Sequence, residues 1–190
     1  MRITSGNLKG RTINVPNTDG LKPSQDQVRL AIFSMLESGY LSGFYYDELT
    51  VADLFAGTGA LGIEAISRGV EKVDFVEQNK KHAKIINKTI EQLNIKTKST
   101  VYNEDVFRFL MRPGTRQYDL VFLDQPYKLF NEFKLDKFVH ILKDHGVLIY
   151  LHSERNYPLK TIKTDSGATW QLQDTREYGA TGVSFYTKQS

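Results

Sequence analysis

Cysteine is absent from this 190-residue chain. Its absence excludes a disulfide framework, thiol catalysis and Cys-ligated zinc, and it fits a reducing compartment. Long apolar runs are missing too. Asp119 to Leu123 and Gly146 to Leu151 fall far short of the roughly 20 residues that a membrane-spanning helix needs. The opening MRITSGNLKGR is polar from its second residue, so no signal peptide is expected and a cytoplasmic protein without a membrane partner is the expectation. No internal repeat, low-complexity tract or long linker interrupts the chain. Its length fits one domain with an N-terminal appendage.

Net charge is small, +3 from 25 Lys+Arg against 22 Asp+Glu, but it is unevenly spread. Residues 1–30 carry five basic side chains (Arg2, Lys9, Arg11, Lys22, Arg29) and two acidic ones (Asp19, Asp26), whereas the remaining 160 residues hold 20 of each. The whole excess lies near the N-terminus, where it suggests an anionic partner.

The segments Arg2 to Thr4 and Arg11 to Val15 alternate polar and apolar residues around a turn-rich stretch, which predicts a hairpin. Ser24 and Gln27 match a capping box ahead of a helix over Gln25 to Ser38. Strands are predicted at Val51 to Phe55, Lys72 to Val76, Thr100 to Tyr102, Leu120 to Leu123 and Val147 to Leu151. Helices are predicted between them at Ala60 to Ser67, Lys80 to Leu93, Val106 to Met111 and Glu132 to Lys143. This alternation predicts an α/β fold with a mostly parallel sheet. Thr169 to Thr175 and Val183 to Lys188 follow one another without a helix, so they predict a closing antiparallel hairpin. Lys80, Lys84 and Lys88 form a stripe at helical spacing, which is expected to be a solvated outer face.

Phe55 to Gly62 closes the first strand and opens a helix, with GxGxxG spacing at Gly57, Gly59 and Gly62. Glycine suits such a turn because a Cβ would keep the backbone from approaching a ligand. Glu77 stands at the end of the next strand, 20 residues beyond Gly57, where a carboxylate can accept the ribose hydroxyl hydrogens of an adenosine. NAD sites share this pattern, so an NAD-dependent oxidoreductase stays open. Three features favour S-adenosylmethionine: a separate segment of about 50 residues precedes the loop, Asp53 lies inside the first strand, and Asp105 follows the third. Asp105 can reach an adenine amino group, cap the next helix, or do both. A carboxylate-lined loop suits a sulfonium cation and repels pyrophosphate.

Asp124-Gln125-Pro126-Tyr127 ends the fourth strand. In an open α/β sheet, ligands bind beyond the carboxyl ends of the strands at the switch point, so this tetrapeptide is expected to face the glycine loop. Its chemistry suits an exocyclic amine on a nucleobase. Asp124 and a backbone carbonyl each accept one amine hydrogen, and Tyr127 stacks on the base for roughly 1–3 kcal/mol. An aryl amine is a poor nucleophile, so holding it in line with a methyl donor supplies much of the rate. The plainer alternative is a strand-end turn, since Asp-x-Pro is good turn chemistry.

Asp53 to Gly62, Glu77 and Asp124 to Tyr127 together resemble the Rossmann-like S-adenosylmethionine-dependent amino-methyltransferases with an (Asn/Asp)-Pro-Pro-(Tyr/Phe) motif. Arg2-Ile3, Lys9-Gly10-Arg11 and Leu21-Lys22-Pro23-Ser24, leading to Asp26, Val28-Arg29 and Ile32-Phe33, narrow the resemblance to the bacterial 16S ribosomal RNA guanine-N2 methyltransferase family, RsmD. The similarity continues through Tyr150 to Glu154 and the closing hairpin. The resemblance implies methyl transfer from S-adenosylmethionine, leaving S-adenosylhomocysteine, to the N2 of one guanine of 16S RNA. The substrate would be the 30S subunit or its assembly intermediate, and the enzyme a monomer without a metal.

By the same resemblance, Asp124, Gln125, Pro126 and Tyr127 take the catalytic role. Asp53, Phe55, Ala56, Gly57, Thr58, Gly59, Glu77, Gln78, Asp105 and Val106 hold the cofactor. Arg2, Lys9, Arg11, Lys22, Ser24 and Arg29 hold RNA. Residues 1–49 then form an RNA-binding hairpin and helix, and 50–190 a class I methyltransferase domain. Two positions depart from the family pattern. Gln125 replaces the first proline, although its backbone carbonyl survives and Pro126 keeps it biased to the extended region. Lys22 stands where arginine is usual, keeping the charge but losing the bidentate fork. The tetrapeptide alone does not separate guanine N2 from adenine N6 in DNA or RNA, and an RNA-binding protein without catalysis also stays open.

Overall fold

In the computed structural model, which describes residues 1–13, 24–114, 116–125, 135–155 and 158–189 (of residues 24 and 25, the backbone), the sheet is built around β1 (Thr50–Leu54). β2 (Lys72–Val76) and β4 (Tyr118–Asp124) flank it in parallel. β3 (Ser99–Tyr102) extends the sheet beyond β2 and β5 (Leu142–Ser153) beyond β4, again in parallel. β8 (Thr181–Lys188) pairs antiparallel with β5, β7 (Thr169–Tyr178) with β8, and β6 (Thr161–Lys163) with β7. The order β3-β2-β1-β4-β5-β8-β7-β6 changes sense between β1 and β4, the switch point at which doubly wound sheets hold ligands. This is the expected Rossmann-like architecture with its antiparallel C-terminal hairpin.

Every residue of β1 is buried, as a strand covered on both faces requires. Val51, Phe75, Leu120 and Phe122 meet one layer, which holds α2 (Ala60–Ser67) and α3 (Lys80–Leu93). Ala52, Leu54, Val76 and Leu123 meet the other, with α4 (Val106–Leu110) and α5 (Asp136–Val139). α3 begins where the Asn79 side chain accepts the Lys81 N–H at 2.9 Å and ends where Asn94 turns left-handed at φ 57°. Ile86, Ile90 and Leu93 are buried along it, and Lys80, Lys84 and Lys88 form an exposed face.

The N-terminal segment shares the first layer's core. Arg2 bridges to Thr12, and Ile3 and Ile13 pack with Val28, Ile32 and Phe33 of α1 (Ser24–Met35). The fully buried Glu64 of α2 receives this segment. Its carboxylate accepts the N–H groups of Thr4 and Ser5 at 3.0 Å each, the Thr4 hydroxyl at 2.6 Å, and the Nε of Arg29 and Arg68 at 3.1 and 3.2 Å.

Some expected elements change. α1 begins at Ser24 itself, ends at Met35 and passes into a π turn over Leu36–Tyr40. The helix expected over Glu132 to Lys143 is reduced, among the described residues, to Asp136–Val139. Leu142 already pairs with Tyr118 in the sheet, so Leu142 and Lys143 are extended. β6 is an addition, three residues long, at the sheet edge. Among the described residues no helix is long and apolar enough to cross a membrane.

Candidate active site

The strand register builds the floor of the site. Leu54 is level with Val76 and with Leu123, and Val76 with Tyr102. The following residues, Phe55, Glu77, Asp124 and Asn103, therefore emerge side by side at one carboxyl edge, on strands about 4.8 Å apart.

The glycine loop turns sharply at this edge. Phe55 adopts φ 56°, a left-handed conformation that costs a bulky residue roughly 1–3 kcal/mol and is concentrated at functional sites. The Ala56 N–H donates to the Val76 carbonyl at 3.0 Å, and the Gly57 N–H to the Glu77 carboxylate at 2.8 Å. Gly59, at φ 76°, opens α2, and a Cβ there would sit 3.2 Å from the Phe75 ring. At Gly62 a Cβ would come within 2.4 Å of the same ring, so this glycine lets α2 lie directly on β2.

Three carboxylates gather here. Asp53, buried in β1, accepts the Gly62 N–H at 2.9 Å. Burial pushes its carboxyl up to about 8, with Asp124 and Glu77 adding repulsion and the Gly62 N–H pulling the other way. Asp124 opens to the cleft, yet the protein packed around it raises its pKa to about 6. Glu77 accepts from Gly57 with one oxygen and from the Asn79 N–H, at 2.7 Å, with the other. Its role is thus also to tie the loop to α3, and each oxygen retains a further lone pair for a ribose hydroxyl. Asp105 caps α4 through Oδ1, accepting from Phe107 at 2.9 Å and Arg108 at 3.2 Å, while Val106 is buried beneath it. Thr58 is half-buried in the loop, and Gln78 is exposed beside Glu77.

Gln125 turns inward. It is 3% exposed, its Nε2 donates to the Tyr150 hydroxyl of β5 at 2.6 Å, and its Oε1 is buried without a hydrogen-bond partner. Pro126, Tyr127 and Lys22 lie outside the described residues, as does the side chain of Ser24.

The basic residues divide. Arg2, Lys9 and Arg11 are exposed. They lie toward the far ends of α2 and α3 from the loop, with Leu8 held by Ser67 at 3.0 Å and Arg11 by the Gln92 carbonyl at 3.4 Å. Arg29 departs from its expected role. It is 2% exposed, pairs with Glu64 and Asp26 at 3.1 Å each and donates to the Arg2 carbonyl at 2.6 Å, so its guanidinium is spent inside the protein and does not face phosphate. Asn103 also stands at this edge, a placement that pattern reading misses. Its side-chain amide donates to the carbonyls of Glu77 and Gln78 at 2.8 and 3.1 Å, and its position directly after β3 was the available signal.

The arrangement places a glycine loop with left-handed turns beside three carboxylates, a combination whose charge suits a cation. Comparison with known proteins agrees in kind. The family model described as "Conserved hypothetical protein 95" matches residues 1–187. Ribosomal RNA small subunit methyltransferase D of Haemophilus influenzae is 30% identical over 194 residues, covering 98% of this chain and 93% of that protein. The Escherichia coli K12 protein of the same name is 29% identical over 195 residues, covering 100% and 91%. Among solved structures, a conserved hypothetical protein of Streptococcus pyogenes is 29% identical with a TM-score of 0.71, covering 85% of this chain and 95% of that one. SMU.776, solved in complex with SAH, shares the fold at 17% identity and a TM-score of 0.66, covering 93% and 52%.

Proposed function

Because the chain belongs to the ribosomal RNA small subunit methyltransferase D family, we propose that it transfers a methyl group from S-adenosylmethionine to the exocyclic N2 of a guanine in 16S RNA, within the 30S subunit or its assembly intermediate. The observation that carries this reading is the register that brings the Gly57 loop, Glu77 and Asp124-Gln125 to one carboxyl edge. The residues present fit the cofactor. The Asp53 carboxyl, raised by burial first and by its acidic neighbours second, would be stabilised in its ionised form by a cation bound nearby, and the glycine loop leaves room for close approach. Three carboxylates at that edge favour a sulfonium over a pyrophosphate, which argues against NAD.

S-adenosylmethionine, when bound, supplies an electrophilic methyl group. Asp124 and the Gln125 backbone carbonyl accept the two amine hydrogens and so aim the nitrogen lone pair. Asp124, with its pKa near 6, stays largely ionised at neutral pH yet is basic enough to take the proton that acidifies as the new N–C bond forms. Tyr127 stacks on the base. Arg2, Lys9 and Arg11 hold RNA beyond the target nucleotide, as suits a large folded substrate.

The test is transfer of a labelled methyl group to 30S particles lacking the modification. Asp124→Ala should abolish transfer while cofactor binding persists, and near-normal turnover in that variant would refute the assignment.

A further inference from the structure

A second cleft, of about 240 Å³, lies under α4 on the other layer of the molecule, with Lys72, Asp74, Tyr102, Phe109, Arg116 and Tyr118 in its lining. Asp74 precedes Glu77 by three residues, about 10 Å along the strand direction, so the cleft sits below the cofactor edge and apart from it.

Its base is acidic and incompletely satisfied. Asp74 is 4% exposed, its Oδ2 accepts the Tyr118 hydroxyl hydrogen at 2.7 Å, and its Oδ1 is buried with no hydrogen-bond partner. A buried carboxylate oxygen left in this state is costly, and a ligand N–H placed there would offset that cost. The wall is aromatic: the rings of Tyr102 and Phe109 pack on one another at 5.0 Å with their planes tilted by 55°, and the Arg112 guanidinium covers Tyr102 at 5.1 Å. The rim is cationic, with Arg116 exposed and Lys72 half-buried. A ligand that matches all three features is planar, offers N–H donors on one edge and carries an anion at its other end.

We infer that this cleft is a second nucleotide site, taking a base with an exocyclic amino group edge-on to Asp74 and its phosphate against Arg116 and Lys72. The ligand is either a free mononucleotide or an unpaired nucleotide of an RNA strand. The strand source rests on the proposed activity on RNA, whereas the site itself does not.

The test is an amide chemical-shift titration of the full chain with CMP, and with UMP as the analogue that lacks an amino group, with the cofactor cleft saturated by S-adenosylhomocysteine. CMP should shift residues 72–74, 102 and 109–118 and bind at least tenfold more tightly than UMP. Asp74→Asn should weaken CMP at least tenfold. Arg116→Glu, at an exposed position where folding is not at issue, should do the same without changing affinity for S-adenosylhomocysteine. A single-stranded cytidine hexamer that perturbs the same residues and binds tenfold more tightly than CMP identifies RNA as the source, and equal affinities identify the free nucleotide. Absence of shifts at these residues, equal binding of CMP and UMP, or indifference to Arg116→Glu overturns the inference. Methylation of 30S particles is read separately, so a silent cleft in an active enzyme leaves the proposed function standing.

Discussion

The side-chain amide of Gln125 donates to the Tyr150 hydroxyl at 2.6 Å, which ties the end of β4 to its neighbour β5 at the position where the family pattern has proline. A hydrogen-bonded clamp thus stands where ring stiffness is usual. Tyr150→Phe leaves the buried Gln125 amide without its acceptor, and Gln125→Leu leaves the buried hydroxyl without its donor. Each should cost about 1–3 kcal/mol in urea unfolding. The double variant should be less destabilised than the two losses added together. Additive losses would show that the contact contributes nothing.

Asp53 should link cofactor binding to pH. With a pKa of about 8, its carboxyl is mostly protonated at pH 7, and a bound sulfonium or ammonium group would drive the proton off. Affinity for S-adenosylmethionine should therefore rise from pH 6 to pH 8 and level off above. Calorimetry in buffers of different ionisation enthalpy should record close to one proton released at pH 7, and none in Asp53→Asn. The same shift sets a stability slope. The folded pKa lies above the unfolded value of about 3.9, so the contribution of this group is fully present below pH 4 and is lost as pH rises toward 8. Asp53→Asn should flatten that slope in urea unfolding measured across pH 4 to 8.

Glu64 should prove to be the anchor of the N-terminal segment. Glu64→Ala strands the buried guanidinium groups of Arg29 and Arg68, and removing one partner of a buried ion pair costs about 3–5 kcal/mol. Hydrogen exchange should accelerate at the amides of Thr4 and Ser5 beyond the rest of the first layer. Unchanged protection there would remove the anchoring role.

Lys9 and Arg11 should report the RNA footprint. Replacing both with alanine should weaken binding of 16S RNA fragments and reduce the slope of log affinity against log salt by roughly one per lost phosphate contact, with cofactor affinity unchanged. Arg29→Gln should instead lower stability and leave the salt slope where it was, because Arg29 faces Glu64. A salt slope that depends on Arg29 and not on Lys9 or Arg11 would reverse this division.

Much of the fold was legible because local signals agreed with tertiary demands. Helices α2 and α3 have the bounds that their periodicity predicts, Ala60–Ser67 and Lys80–Leu93. The glycine loop and the end of β4 meet as the switch-point rule predicts. What was not legible depends on partners distant in sequence. Nothing near Arg29 reveals that Glu64, 35 residues away, consumes its charge, so a count of basic residues overstates the surface available to RNA. Leu142 and Lys143 carry a helical pattern, but pairing of Leu142 with Tyr118 draws them into β5. Asp74 looks like an ordinary strand residue, and Gln125 like a contributor of its backbone carbonyl alone, until burial leaves one side-chain oxygen of each unpartnered.

The most direct test of the central claim is to incubate the protein with S-adenosylmethionine and 30S particles lacking the modification, digest the 16S RNA to nucleosides and identify the methylated product by mass spectrometry. The account predicts N2-methylguanosine at a single site, formed by the wild-type chain and not by Asp124→Ala. Recovery of N6-methyladenosine, or of no methylated nucleoside from a chain that binds the cofactor, would contradict it.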